Sequence, residues 1–261
     1  MEFDQLNTTV EAQFREYTRR FLRGTEEVVH AIELKLHHSF LVRDEAVGIA
    51  LSEGMPAEDI ACASVAGLLH DFGRFEQYRR YRTFADARSE NHALLGIQEI
   101  EASGIIDDID VDDAAIIRIA IERHNRAALG DGLTARSATF AKLIRDADKL
   151  DIWRLVTEYY ERSDPTFRSR AIEAELPDTD EISSAVVEDV LQGHAVPYRH
   201  ARTLNDFKLM QMGWVYDLNF RHSFQVVRRR NYLERIYDAL PQTPILKQVY
   251  NQLRNYVASC S

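Results

Sequence analysis

Five short motifs in a fixed order constrain this chain more than any other feature. They read HHSF around His38, LLHDFGRFEQ around His70 and Asp71, SENHALLG around His92, IERHN around His124 and LIRDADKLDIW around Asp148. Each sets an imidazole or a carboxylate on a stretch that reads as helix, with helical spacers between. Neutral imidazole plus carboxylate is the donor set that suits iron, manganese, zinc or nickel. Four histidines and two aspartates are enough to hold two such ions around a bridging water. A fold that uses them together must gather all five segments around one point.

Helical periodicity separates inward from outward residues, because positions three and four apart share a face. His38 has Leu34, Leu41 and Val42 at those spacings, whereas His37 has Glu33, His30 and Asp44. His38 is therefore the ligand and His37 belongs to the surface. Asp148 lies among Ala141, Ile144, Ile152 and Leu155, and Asp151 beside Ala147 and Leu155. A carboxylate on an apolar stripe carries a high desolvation cost unless a charge meets it. A metal ion meets that need at Asp148, with Asp151 as an outer hydrogen-bonding partner. Asp146 has Lys142 and Lys149 nearby and reads as a surface ion pair. His124 follows Ile117, Ala120 and Ile121 and faces a core. His92 falls in a first helical turn, where Gly96 one turn on would leave room for a metal, water or substrate. His70 and Asp71 close an apolar helix, where the backbone can bend so that both reach one ion. Taken singly, a histidine on an apolar face is more often a hydrogen-bonded core residue. Five such motifs together make that reading much less probable than any one of them would.

The remaining pattern is helical almost throughout. Expected helices run about Thr9–Leu22, Thr25–Gly54, Pro56–Gly73, from an N-cap at Ser89 through His92, Asp112–Asn125, Ala135–Tyr160, Glu181–Gln192, Leu204–Tyr216, Phe220–Ala239 and Ile245–Val257. Breaks come at 163–165 and 177–180. All five motifs precede residue 165, so the expected organisation is a metal-binding helical domain over 1–165 and a helical extension over 166–261. A length of 261 residues with 45% apolar content supports a substantial core. Two cysteines, Cys62 and Cys260, argue against a disulfide framework and suit a reducing compartment. The polar N-terminus does not read as a signal peptide, and no apolar run approaches the ~20 residues of a membrane span. A cytoplasmic location is expected. The net charge of -10 disfavours a large nucleic acid as partner. Two local basic clusters, Arg74 with Arg79, Arg80 and Arg82, and Arg228–Arg230, read either as anion contacts or as solvated helix faces. The apolar faces of the C-terminal helices are compatible with a homodimer.

In this order the motifs resemble the HD-domain superfamily of metal-dependent phosphohydrolases, with its H…HD…D signature and the two additional histidines of the branch that binds two metals. HSFLV is similar to the first-histidine helix, AGLLHDFGR to the central motif and RDADKLD to the terminal aspartate motif. The resemblance implies an all-α helical bundle with the site at its middle. It implies that His38, His70, Asp71 and Asp148 hold one divalent ion and that His92 and His124 complete a second, with Asp71 bridging. The metal, one ion or two, would be Mn, Fe, Ni or Zn.

The chemistry expected is hydrolysis of a small phosphomonoester or phosphodiester, such as a nucleotide, by metal-activated water. Arg74 is the first candidate for a phosphate contact, in competition with an ion pair to Glu76 or Asp86. Lys149 and Arg123 flank ligand positions and are second candidates, with a solvated helix face as the more usual role for such residues. Glu76 is a further outer partner, and Asp151 is expected to orient His124 or His92. Tyr78, Tyr81 and Phe84 either stack on a base or belong to the core, the more usual fate of such aromatics. Two rival functions share the motif set: a di-iron oxygenase, and a non-catalytic ligand sensor.

Overall fold

The computed structural model describes residues 3–162, 172–174 and 176–261. Among these the chain is helical and contains no strand. It divides into two compact units, Met1–Asp151 and Ile152–Ser261. The division falls inside a long helix, and the break expected at 163–165 lies outside the described residues.

The first unit begins with α1 (Phe3–Arg19), α2 (Glu26–Ser52) and α3 (Ala57–Leu69). Every residue of α3 from Ala61 to Leu69 is buried. A helix that is apolar on all sides has to be central, and α1, α2 and α6 (Val111–Arg123) all pack against it. Gly67 sets the closeness of the α2–α3 contact, because a Cβ there would stand 2.8 Å from the Arg43 Cα. Two further helices, α4 (Phe72–Tyr81) and α5 (His92–Ser103), cross at a pair of glycines, Gly73 and Gly96. A Cβ on Gly73 would lie 2.3 Å from the His92 carbonyl oxygen and 2.5 Å from the Gly96 nitrogen. The space beside Gly96 is thus filled by the Gly73 backbone, not by a ligand as the sequence suggested. Helix α7 (Ala135–Tyr160) completes the unit with its residues up to Asp151. Aromatic packing anchors α1, with Tyr17 stacked on Phe72 at 4.0 Å between centroids.

Several boundaries differ from expectation for local reasons. The helix read as stopping near Gly73 ends at Leu69, and FGRFEQYRRY forms a separate helix closed by Arg82 in the left-handed region at φ 56°. Asn91, not Ser89, caps α5, its side chain accepting from the Ala93 and Leu94 amides.

The second unit holds the rest of α7 with α8 (Ser184–Leu191), α9 (Leu204–Gly213), α10 (Arg221–Arg229), α11 (Tyr232–Asp238) and α12 (Pro244–Cys260). A capping box between Thr203 and Asp206 starts α9. The helix expected over Phe220–Ala239 is two, broken at Asn231, whose φ is 54°. Asparagine tolerates that conformation better than most residues. Trp153, fully buried, donates its indole N–H to the Gln211 carbonyl at 2.9 Å. No helix among the described residues is long and apolar enough to cross a membrane.

Candidate metal centre

The six motif residues converge in the first unit. His38 comes from the middle of α2, His70 and Asp71 from the joint between α3 and α4, and His92 from the first residue of α5. His124 follows the last residue of α6, and Asp148 lies within α7. Two helix ends meet at His70 and Asp71. Asp71 leaves helical geometry (φ -103°, ψ 22°), so two adjacent side chains reach the same place.

Around one side of Asp71 stand His38 and His70, each with Nε2 3.6 Å from Oδ2. Asp148 Oδ1 joins them at 3.1 Å from His38 and 3.6 Å from His70. Around the other side, His92 and His124 place Nε2 at 3.4 and 3.9 Å from Oδ1 of the same carboxylate. Both triads, His38–His70–Asp71 and Asp71–His92–His124, are buried and have donor atoms within 4.8 Å of one another. Donor atoms gathered around a divalent ion at ~2.0–2.2 Å stand about 3–3.5 Å apart, and these spacings, from 3.1 to 3.9 Å, are at or slightly beyond that range.

Hydrogen bonding at the far side of each ring settles what the near side offers. A carbonyl only accepts, so His70 Nδ1 must donate to Gly67 O (2.8 Å) and His124 Nδ1 to Ile121 O (2.6 Å). Carboxylates do the same for the other two rings: His38 Nδ1 donates to Asp151 at 2.6 Å and His92 Nδ1 to Asp86 at 2.7 Å. In its neutral form each ring would therefore aim an unprotonated Nε2 inward, as a metal ligand must. His92 and His124 point these lone pairs at each other across 3.0 Å. Burial holds both rings below the usual imidazole pKa, His124 at about 3, so neither readily supplies a proton to that gap. A cation between them removes the conflict, and the donor set fits a divalent metal.

Electrostatics across the cluster point the same way. Burial alone would raise the Asp71 and Asp148 pKa values. For Asp71 the Lys35 ammonium, together with His70, Arg74 and His92, outweighs it, and for Asp148 the neighbouring His38 and His70 rings together do, so both carboxyls titrate well below their usual range. Burial and Lys35 push the His38 pKa down, but its bonds to Asp148 and Asp151 raise it overall.

The outer residues are arranged differently from some expectations. Asp151 serves His38, not His124 or His92. Asp86 performs that service for His92, and sequence reasoning had seen it only as an ion-pair partner of Arg74. Both roles are filled, since Arg74 also bonds Asp86 (2.8 Å), Gln77 (2.8 Å), the Phe84 carbonyl (2.6 Å) and Asp71 (3.3 Å). Glu76 faces Arg79 and Arg80, and none of its bonds reaches a motif residue. Lys149 donates to the Arg145 carbonyl at 3.3 Å. Arg123 bonds the Leu129 carbonyl at 3.2 Å. Asp146 is fully buried, against the surface expectation. Leu143, Leu150 and Trp153, at i-3, i+4 and i+7, share its face, and those positions outweigh the two lysines. His37 is exposed and His38 buried, as periodicity required. Tyr78 is buried and stacks on Phe84 at 4.7 Å, while Tyr81 is exposed.

Lys35 was missed altogether. Its ammonium sits 2.7 Å from Asp71 Oδ2. The signal was available, since Lys35 precedes His38 by three residues and shares its helix face.

Residues 36–153, a little under half of the chain, match the family model of the HD domain, and the match supports the HD superfamily, an all-helical class whose members bind divalent metals, for this region. Comparison with curated proteins and with solved structures returned no match.

Proposed function

We propose that the chain is a metal-dependent phosphohydrolase acting on a small phosphomonoester or phosphodiester. The observation that carries this reading is the shared carboxylate, with Asp71 Oδ2 turned to His38 and His70 and Oδ1 to His92 and His124. His38, His70, Asp71 and Asp148 would hold one ion, and Asp71, His92 and His124 a second. Ions there would supply Lewis acidity at a phosphoryl oxygen and a lower pKa for water. The protein's part is to fix four imidazoles in one tautomer and to exclude solvent behind them. Asp148 (21% exposed), Lys35 (18%) and Arg74 (15%) form the accessible edge, while the imidazoles are almost completely covered. An anionic substrate entering there meets two cations. Arg74 is tied to four partners and positions the loop that carries Asp86. Lys35 has a single carboxylate partner, Asp71, and is the better placed to meet a phosphoryl oxygen once the charge of Asp71 is engaged by metal. Lys149, beside Asp148, is a secondary cation.

The test is phosphate release from nitrophenyl phosphates and nucleotides by protein loaded with Mn, Fe, Ni or Zn, alongside an oxygen electrode. Release that disappears in His70→Ala supports the hydrolase. Oxygen uptake without phosphate release would assign the oxygenase chemistry instead. A nucleotide bound but recovered unchanged would make the chain a sensor.

A further inference from the structure

Charge is unevenly distributed along this acidic chain. Residues 221–261 carry seven Lys and Arg against two Asp and Glu, a net +5 in a protein whose total is -10. Three of those arginines, Arg221, Arg228 and Arg229, line one shallow open cleft with Gln225 and Ser261. Positions 221, 225, 228 and 229 share one face of α10, and all four are exposed. The opposite face, with Ser223, Phe224, Val226 and Val227, is buried. Ser261 closes the cleft from the end of α12, its hydroxyl donating to the Val257 carbonyl at 2.6 Å.

Several arginines elsewhere on this surface are paired, while others, such as Arg19, Arg23 and Arg199, stand singly and far apart in the sequence. Arg15, Arg43, Arg126, Arg136, Arg154 and Arg235 each meet a carboxylate. By contrast, no hydrogen bond or ion pair joins the guanidinium of Arg221, Arg228 or Arg229 to any other described residue. Helix stability accounts for only part of the set. Cations in the last turn, as at Arg228 and Arg229, are favoured by the helix dipole, but Arg221 is in the first turn, where a cation is disfavoured. Three like charges held on one face repel one another, and an anion relieves that repulsion.

The geometry points to a second anion site here, on the face of α10, for a small polyphosphate such as the phosphate chain of a nucleotide. Guanidinium forks bind phosphate oxygens bidentately. Arg221 and Arg228 are two helical turns apart, about 10 Å along the axis, which suits a chain of phosphates better than a single one. Gln225, between them, offers an amide N–H to the same chain. This site lies beyond the HD-family match and does not depend on the metal centre.

The experiment is calorimetric titration of the chelator-treated full chain with inorganic tripolyphosphate. Saturable binding that weakens as salt rises is expected. Arg221→Glu/Arg228→Glu should weaken it at least tenfold, and the neutral Arg228→Gln/Arg229→Gln pair should also weaken it with an unchanged circular dichroism spectrum. Lys35→Met, which alters the anion edge of the metal centre, should leave the affinity within twofold. No binding to the wild type, or a loss in Lys35→Met with none in the arginine variants, overturns the proposal. Sedimentation supplies a further outcome. If reversing these charges dissociates a dimer while tripolyphosphate has no effect, the face is a contact between copies of the chain and the proposal falls.

Discussion

Gly73→Ala probes the crossing that joins the two halves of the candidate metal centre. The new Cβ would stand 2.3 Å from the His92 carbonyl oxygen, 2.5 Å from the Gly96 nitrogen and 3.0 Å from its Cα, where ordinary contact begins at 3.4 Å. All three neighbours are backbone atoms, so α5 has to move by about 1 Å. Overpacking of this kind costs ~1–3 kcal/mol, and a clash with two backbone residues belongs at the upper end. Alanine recovers about 1 kcal/mol through helix propensity. The net loss is about 2 kcal/mol, a fall in Tm of roughly 4–8 °C for a protein of this size. The displaced residue is His92 itself, so metal held by His92 and His124 should be lost ahead of metal at His38 and His70. Gly96→Ala is the control. Its Cβ would meet the Gly73 nitrogen at 3.2 Å, a few tenths of an ångström too close, and the propensity gain should bring it within about 1 kcal/mol of the wild type. Thermal unfolding by circular dichroism and metal analysis read both effects. A Gly73→Ala protein with wild-type Tm and wild-type metal content would refute the reasoning.

Other consequences follow from the hydrogen bonds around the rings. Asp86→Ala frees His92 Nδ1 and should weaken metal binding at the His92–His124 half by ~10–100-fold, read by competition with a chelating dye. His38→Ala should lose metal whereas exposed His37→Ala should not; the reverse result would refute the assignment by helix face. Lys35→Met should raise KM for a phosphate ester more than it lowers kcat, and a kcat effect alone would remove Lys35 from substrate binding. In metal-free protein, His124 resists protonation down to about 3, against 6.5 for an ordinary histidine. The unfolded chain therefore takes up the proton first, and stability falls as pH drops below 6.5, by about 2 kcal/mol at pH 5. His124→Gln should flatten that slope in urea titrations at pH 7 and pH 5. His38, with its raised pKa, acts in the opposite sense and is present in both proteins.

What was legible in the sequence depended on whether a residue's surroundings were local. His38, His124 and Asp148 sit inside or just beyond regular helices, so neighbours three and four away reported which way they faced. The extent of α7 was legible for the same reason, as both ends and the whole apolar stripe lie in one segment. Asp86 was not, because it lies on a short 3-10 turn without helical periodicity and its bond to His92 depends on how the loop folds back. Asp151 showed that a buried carboxylate can be read correctly as an orienting group and still be given the wrong partner, since the partner is chosen by packing between helices. Asp146 was misread because two lysines were weighed and three apolar neighbours were not. The joint at His70 and Asp71 was half legible. An apolar helix clearly ended there, but the immediate start of α4 shows only in the close approach of Gly73 to α5, which a sequence does not reveal.

The account rests on a two-ion centre bridged by Asp71, and metal stoichiometry tests that most directly. Protein purified without chelator or nickel resin should contain close to two divalent ions per chain by elemental analysis. The His92→Ala/His124→Ala double variant should contain about one, retained by His38, His70, Asp71 and Asp148. One ion in both proteins would contradict the bridged pair. None in either, after loading with Mn, Fe, Ni and Zn in turn, would contradict the metal centre itself.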